Sequence, residues 1–142
     1  MTESEWVDNA IRFLGDIVSR YDFVVSTEET HGSMGEGHAV LENAEFWITI
    51  ERDRGGSPEW IIVGPKARPR PGAHMRSWSL SHIRGFLDGL DDHYRFQNLE
   101  DQCAWFEENH EQVLDVDLLN SDSLQRWAVQ ASKRLFGKKK PS

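Results

Sequence analysis

Residues 46–65 constrain this chain more than any other segment. Phe46, Ile48 and Ile50 alternate with Trp47, Thr49 and Glu51, a period of two that gives an extended strand one apolar face and one face turned outward. Gly55, Gly56, Ser57 and Pro58 supply a reversal. Glu59, Trp60, Ile61, Ile62 and Val63 then read as the return strand, which Gly64 and Pro65 end. Such a hairpin is marginal by itself in water, so other parts of the chain must cover its apolar side.

Helical periodicity on either side supplies that cover. Thr2 and Glu5 have the spacing of a capping box, and Val7, Ala10, Ile11, Leu14, Ile17, Val18 and Tyr21 follow at helical intervals, which predicts a first helix over residues 4–20. Phe23, Val24 and Val25 begin a strand, the Gly-rich residues 31–37 read as a hairpin loop, and a short strand follows near Val40 and Leu41. Residues 65–75 carry three prolines and read as a linker. Beyond it, Leu80, Ile83, Leu87 and Leu90 form one helical stripe, with Gly85 and Gly89 each weakening it by about 1 kcal/mol relative to alanine. Asn98 can cap a helix carrying Leu99, Cys103, Phe106, His110 and Val113. Asp122 with Gln125 can cap a last one carrying Leu124, Trp127, Ala128, Ala131 and Leu135, closed by Gly137. The expected fold class is α+β: about four strands in an antiparallel meander, with an N-terminal helix and three C-terminal helices packed on one face. The 142 residues suit one such domain, over residues 1–137, followed by a basic disordered tail at 138–142.

Charge is distributed in blocks. Residues 60–87 hold Lys66, Arg68, Arg70, Arg76 and Arg84 and no acid, whereas residues 88–122 hold Asp88, Asp91, Asp92, Glu100, Asp101, Glu107, Glu108, Glu111, Asp115, Asp117 and Asp122 against Arg95 alone. With a net charge of −8, the overall field repels nucleic acid and attracts basic partners. The basic stretch contains Trp78 but lacks the interleaved aromatics of single-strand binders. No apolar run approaches the ~20 residues that span a bilayer, and the N-terminus lacks the charged and apolar regions of a secretory signal. A cytoplasmic protein without a membrane partner is the expectation, in keeping with a single cysteine, Cys103.

Several constellations invite chemistry and fail on spacing. Gly32, Gly35 and Gly37 precede a strand, where a phosphate loop needs a helix N-terminus. His110 and Glu111 start a zinc-helix motif, but Leu114 stands where the second imidazole belongs. His31 and His38 could face each other near Glu28 and Glu29, and Asp91, Asp92 and His93 form another polar knot, without fixing a ligand set. Cys103 lies on an apolar stripe among acids, a poor setting for a thiolate. The expectation is a chain with no cofactor, no metal and no catalytic residue of its own.

The residues 48–65 (ITIERDRGGSPEWIIVGP), 78–89 (WSLSHIRGFLDG) and 99–115 (LEDQCAWFEENHEQVLD) together resemble the small bacterial immunity proteins encoded beside polymorphic or contact-dependent toxins. Shared features are the initial amphipathic helix, the R-D-R-G turn at residues 52–55, Trp60 in a return strand ending in Gly64 and Pro65, and an acidic helix ending in Glu108 and Asn109. The resemblance implies a protein-binding inhibitor that occludes the active site of a basic toxin domain. A different class, an acidic secretion or effector chaperone, fits the same charge; genomic neighbours would separate the two. The charge pattern itself nominates the binding surface: Asp88, Asp91, Asp92, Glu100, Asp101, Glu107, Glu108 and Glu111 as a charged rim, with solubility alone as the competing role, Trp105 as its apolar anchor, and Trp47 on the hairpin, either an outward-facing anchor or covered by a loop or the C-terminal helix.

Overall fold

The computed structural model describes residue 8 and residues 11–31, 36–52, 59–66 and 78–137, without the side chains of 26–31, 36–38, 52, 59 and 132–137. The Thr2–Glu5 box, the reversal after Arg52, the linker beyond Lys66 and the Lys tail therefore lie outside the described residues.

Ile11, Arg12 and Phe13 are helical and lead through Leu14 into α1 (Gly15–Arg20); Leu14 and, within α1, Ile17 are buried. Asp22 adopts φ 56°, a left-handed conformation that aspartate tolerates better than most residues, and the Phe23 amide turns back to the Val18 carbonyl at 3.0 Å. That turn aims the chain into β1 (Val24–His31). β2 (Glu36–Glu42), β3 (Phe46–Arg52) and β4 (Glu59–Pro65) follow, all antiparallel, in the spatial order β1-β2-β3-β4. The α+β class and the four-stranded meander are as expected. The register corrects one detail, since His31 pairs with Glu36 and His38 with Glu29, so the two histidines do not stand opposite each other. Between β2 and β3, Asn43 Oδ1 accepts from the Glu45 and Phe46 amides at 2.9 and 2.7 Å, while its Nδ2 donates to the Tyr21 carbonyl at 2.8 Å. One side chain thus makes the turn and ties it to the end of α1.

Cross-strand partners share a face of a sheet. Leu41, Ile48 and Val63 form one row and Ala39, Ile50 and Ile61 the next, all of them fully buried. They join Leu14, Ile17, Leu80, Ile83, Phe106, Leu119 and Leu124 in a single core. The other face was expected to look outward at Trp47 and Thr49, and here the structure differs. Val40, Trp47, Thr49 and Ile62 are buried too, with Trp47 only 2% exposed. Its indole lies against the backbone of Gly64, its cross-strand partner, and meets Trp78 edge-on with ring centroids 5.8 Å apart. A large ring beside a residue with no side chain settles onto the sheet and is covered there.

The outer edge of β4 is also covered. The Val63 amide donates to the Trp78 carbonyl at 3.0 Å, Ile62 forms a β-bridge with Ser79, and the Ile61 amide donates to Gln102 Oε1 at 3.2 Å. Ser79 then caps α2 (Leu80–Leu87). Asn98 caps α3 (Leu99–Glu108), as expected from sequence. The expected single helix carrying His110 and Val113 is broken at Asn109 (φ −118°, ψ 21°), giving a separate turn α4 (His110–Val113). α5 (Val116–Leu119) starts from an Asp115 cap, and Ser121 rather than Asp122 accepts the capping bond of α6 (Asp122–Gly137), from the Leu124 amide at 3.2 Å. Three expected C-terminal helices are therefore five helical segments, because Asn109, Asp115 and Ser121 each engage backbone groups that an unbroken helix would use itself.

Candidate functional site

The acidic residues nominated from sequence separate into two groups once folded. Asp88, Asp91, Glu100, Glu108 and Glu111 are exposed, while Asp92, Asp101 and Glu107 are half-buried. Some already have work inside the fold. Asp88 pairs with Arg84 at 3.3 Å, one turn away, and Asp101 Oδ2 accepts from the Gln97 amide at 3.1 Å while its own amide donates to Asn98. Asp92 turns Oδ1 inward, 3.6 Å from His93 Nδ1 and without a hydrogen bond.

Neither tryptophan is the exposed anchor that the sequence suggested. Trp47 is enclosed as described, and Trp105 is 8% exposed. Trp105 packs against Phe96, and the Arg84 guanidinium lies between them and Tyr94, 3.6 Å from the Tyr94 ring centre and 5.4 Å from each of the others. An arginine stacked on three aromatic faces satisfies both its charge and its packing, and the ring that helical spacing left beside Glu107 is drawn under it.

The fold adds residues that the sequence reading missed. Asp16 of α1 reaches Glu107 of α3 closely enough for their carboxyl groups to hydrogen-bond. That bond to Asp16 pushes the Glu107 carboxyl above the usual range, with burial and the Asp16 charge adding to the rise and Arg20 opposing it. One turn further along, the Tyr21 hydroxyl meets His110 Nδ1 at 2.5 Å, with the two rings edge to face at 5.5 Å. Burial, and then the charge of Glu111, raise the Tyr21 phenol, again opposed by Arg20. Asp16 and Arg20 are exposed one turn apart on α1, a local signal that reads as a solvated helix pair; nothing local says that α3 lies beside it.

The result is a surface where α1 meets α3 and α4, with Asp16, Glu107 and Glu111 gathered around Arg20 and the Tyr21–His110 pair. Water reaches the carboxyl pair, since Asp16 is exposed and Glu107 half-buried. Its pH dependence has a definite sign. A carboxyl raised in the folded state contributes stability that is fully present below its unfolded pKa, about 4.3 for glutamate, and lost as pH rises through the folded value. Glu107→Gln should therefore be more stable than the parent at neutral pH, with the difference vanishing below about pH 4. Urea melts of both proteins across that range check it; a parent protein that is the more stable at pH 7 contradicts the carboxyl pairing.

Among the described residues no group of three or more His, Cys, Asp or Glu could hold a metal ion, and no helix is long and apolar enough to cross a membrane. No family model matches the chain, and neither a curated protein nor a solved structure matches it significantly.

Proposed function

We propose that this chain is a protein-binding inhibitor of the immunity type, which neutralises a basic toxin domain by covering its active site from the acidic surface formed by α1, α3 and α4. The observation that carries the reading is the Asp16–Glu107 pair. Two carboxyl groups from separate helices meet although their ionised forms repel, and Glu111 adds a further negative charge nearby. A lysine or arginine from a partner relieves that repulsion on binding, so charge that weakens the unbound protein strengthens the complex. A domain that holds phosphates in its own active cleft is basic and fits this surface by charge alone, and the acidic protein needs no chemistry of its own to block it. Action in the cytoplasm belongs to the same reading, in which the inhibitor meets the toxin inside the cell that must be protected.

The test replaces Glu107, Glu108 and Glu111 by lysine together. Partner capture from the source cell with the parent chain identifies the binding protein, and stopped-flow association at low salt then compares the two inhibitors. The triple variant should associate about tenfold or more slowly and lose most of its salt dependence, with folding nearly intact because Glu108 and Glu111 are exposed and a lysine in place of half-buried Glu107 meets Asp16 without like-charge repulsion. An unchanged association rate removes the helical face from the reading. A partner that carries no toxic activity removes the immunity function.

A further inference from the structure

The two edges of the sheet are treated differently. On β4 the outward amides of Ile61 and Val63 are both taken, by Gln102 and by Trp78, and the Ser79 bridge extends the sheet past its last strand. On β1 no described residue pairs with the outer edge. The strand starts with Val24 and Val25, adjacent in sequence and so on opposite faces, and they are 65% and 44% exposed. After the irregularity between Val25 and Thr27, residues 27–31 pair one to one with residues 36–40, so the backbone there forms a regular ladder that a further strand can extend.

The charge around this edge selects the occupant. Strands β1 and β2 with the residues that join them to the end of α1, residues 22–42, contain Asp22, Glu28, Glu29, Glu36 and Glu42 and neither lysine nor arginine. Of these, Glu42 has Lys66 at 3.1 Å. A second copy of the chain pairing over the full strand would bring Glu28 and Glu29 of the two copies side by side, on two molecules that each carry −8. Acidic residues on an edge strand are a common defence against such self-pairing. The same residues favour an extended segment rich in lysine or arginine, whose backbone completes the ladder and whose apolar side chains cover Val24 and Val25.

We infer that the β1 edge is a second docking surface, which takes an extended basic segment of the partner as a fifth strand beside β1. The inference rests on the reading above only in that the partner is a basic protein; it uses different residues. Strand addition supplies affinity through main-chain hydrogen bonds, and the helical face supplies attraction at a distance.

Amide exchange on the full-length chain, read by NMR, tests the edge directly. The probe is an eight-residue capped peptide alternating lysine and valine, present at about 1 mM, which fills roughly nine-tenths of a site with a Kd of about 0.1 mM. Exchange of the outward amides of β1 should slow about tenfold. A fully N-methylated peptide of the same sequence keeps the charges but has no N–H to donate, and it should give no slowing. The Glu28→Lys, Glu29→Lys double variant should lose the effect while β3 amides stay protected, which shows that its sheet is intact. Absence of slowing in the parent chain overturns the inference, and so does equal slowing by the methylated peptide. Protection of β1 that grows with protein concentration and needs no peptide assigns the edge to a second copy and overturns it as well. Slowing confined to α3 and α4 sinks the edge while leaving the acidic-face reading standing.

Discussion

Gly64→Ala should destabilise the protein by roughly 3 kcal/mol, the upper part of the range for forcing a methyl group into a well-packed interior. A Cβ at Gly64 would overlap Trp47 Cζ2 and stand 2.5 Å from Cε2 and 2.7 Å from Cη2. Neither side has room to yield. β4 is held by β3 on one side and by Trp78 and Ser79 on the other, and the Trp47 ring is packed against Trp78. The smaller unfolded-state entropy of alanine returns only about 0.4–1 kcal/mol, which leaves the sign unchanged. Trp47→Leu alone should also be costly, because truncating a buried tryptophan leaves a void. Made together, the two changes should cost clearly less than the sum of the singles, since the leucine vacates the space the new methyl needs. Urea melts of the four proteins give the coupling. A Gly64→Ala protein within about 0.5 kcal/mol of the parent, the usual scatter of harmless surface changes, contradicts the ring-on-glycine contact.

Gly85→Ala should likewise destabilise, by about 2 kcal/mol, although helix propensity alone predicts a gain of about 1 kcal/mol. Gly85 is buried inside α2, where an added Cβ would lie 2.6 Å from the backbone carbonyl oxygen of Asp92 and 2.7 Å from Trp127 Cη2. Trp127 is itself fixed, with Nε1 donating to the Leu90 carbonyl at 2.9 Å and the ring edge-on to both His82 and Phe86. Three segments thus meet at a point that only a glycine leaves open: α2, the connection that follows it, and α6. Adding Trp127→Leu should recover only part of the loss, because the Asp92 carbonyl remains in the way. The measurement is decisive in sign, since a more stable Gly85→Ala protein leaves propensity as the whole explanation.

These two glycines also mark what can be read in such a sequence. The strands were legible because alternation at Phe46, Ile48 and Ile50 and the Gly64–Pro65 stop are local patterns that follow from pleat geometry. Asn98 was legible as a cap for the same reason, its side chain acting on the next turn. Alternation assigns Trp47 to a face but does not say whether a second layer covers that face, so the outward reading of Trp47 failed. Gly85 looked like a weakness because its reason lies in Asp92 and Trp127, which no local window contains. The break at Asn109 was hidden by apolar residues that keep helical spacing across it, from Phe106 to Val113. In the candidate site, exposure was anticipated for Glu107, Glu108 and Glu111 and holds for the last two; Glu107 is half-buried, and its juxtaposition with Asp16 is a product of packing between helices far apart in the chain.

The order of the meander carries a consequence for how the protein is made. Each strand pairs with its neighbour in sequence, so the sheet closes through short loops and can form as soon as residue 65 is clear of the ribosome. Of the helices that share its core, α1 is already made, and α2, α3, α4, α5 and α6 are encoded afterward, through Gly137. At synthesis rates of roughly 5–20 residues per second, several seconds separate the finished sheet from its cover. During that interval the row of Leu41, Ile48 and Val63 faces water on the nascent chain. Transiently exposed apolar surface of this kind is aggregation-prone, so it is over these residues, rather than in the finished protein, that crowding on a polysome would first drive misassembly.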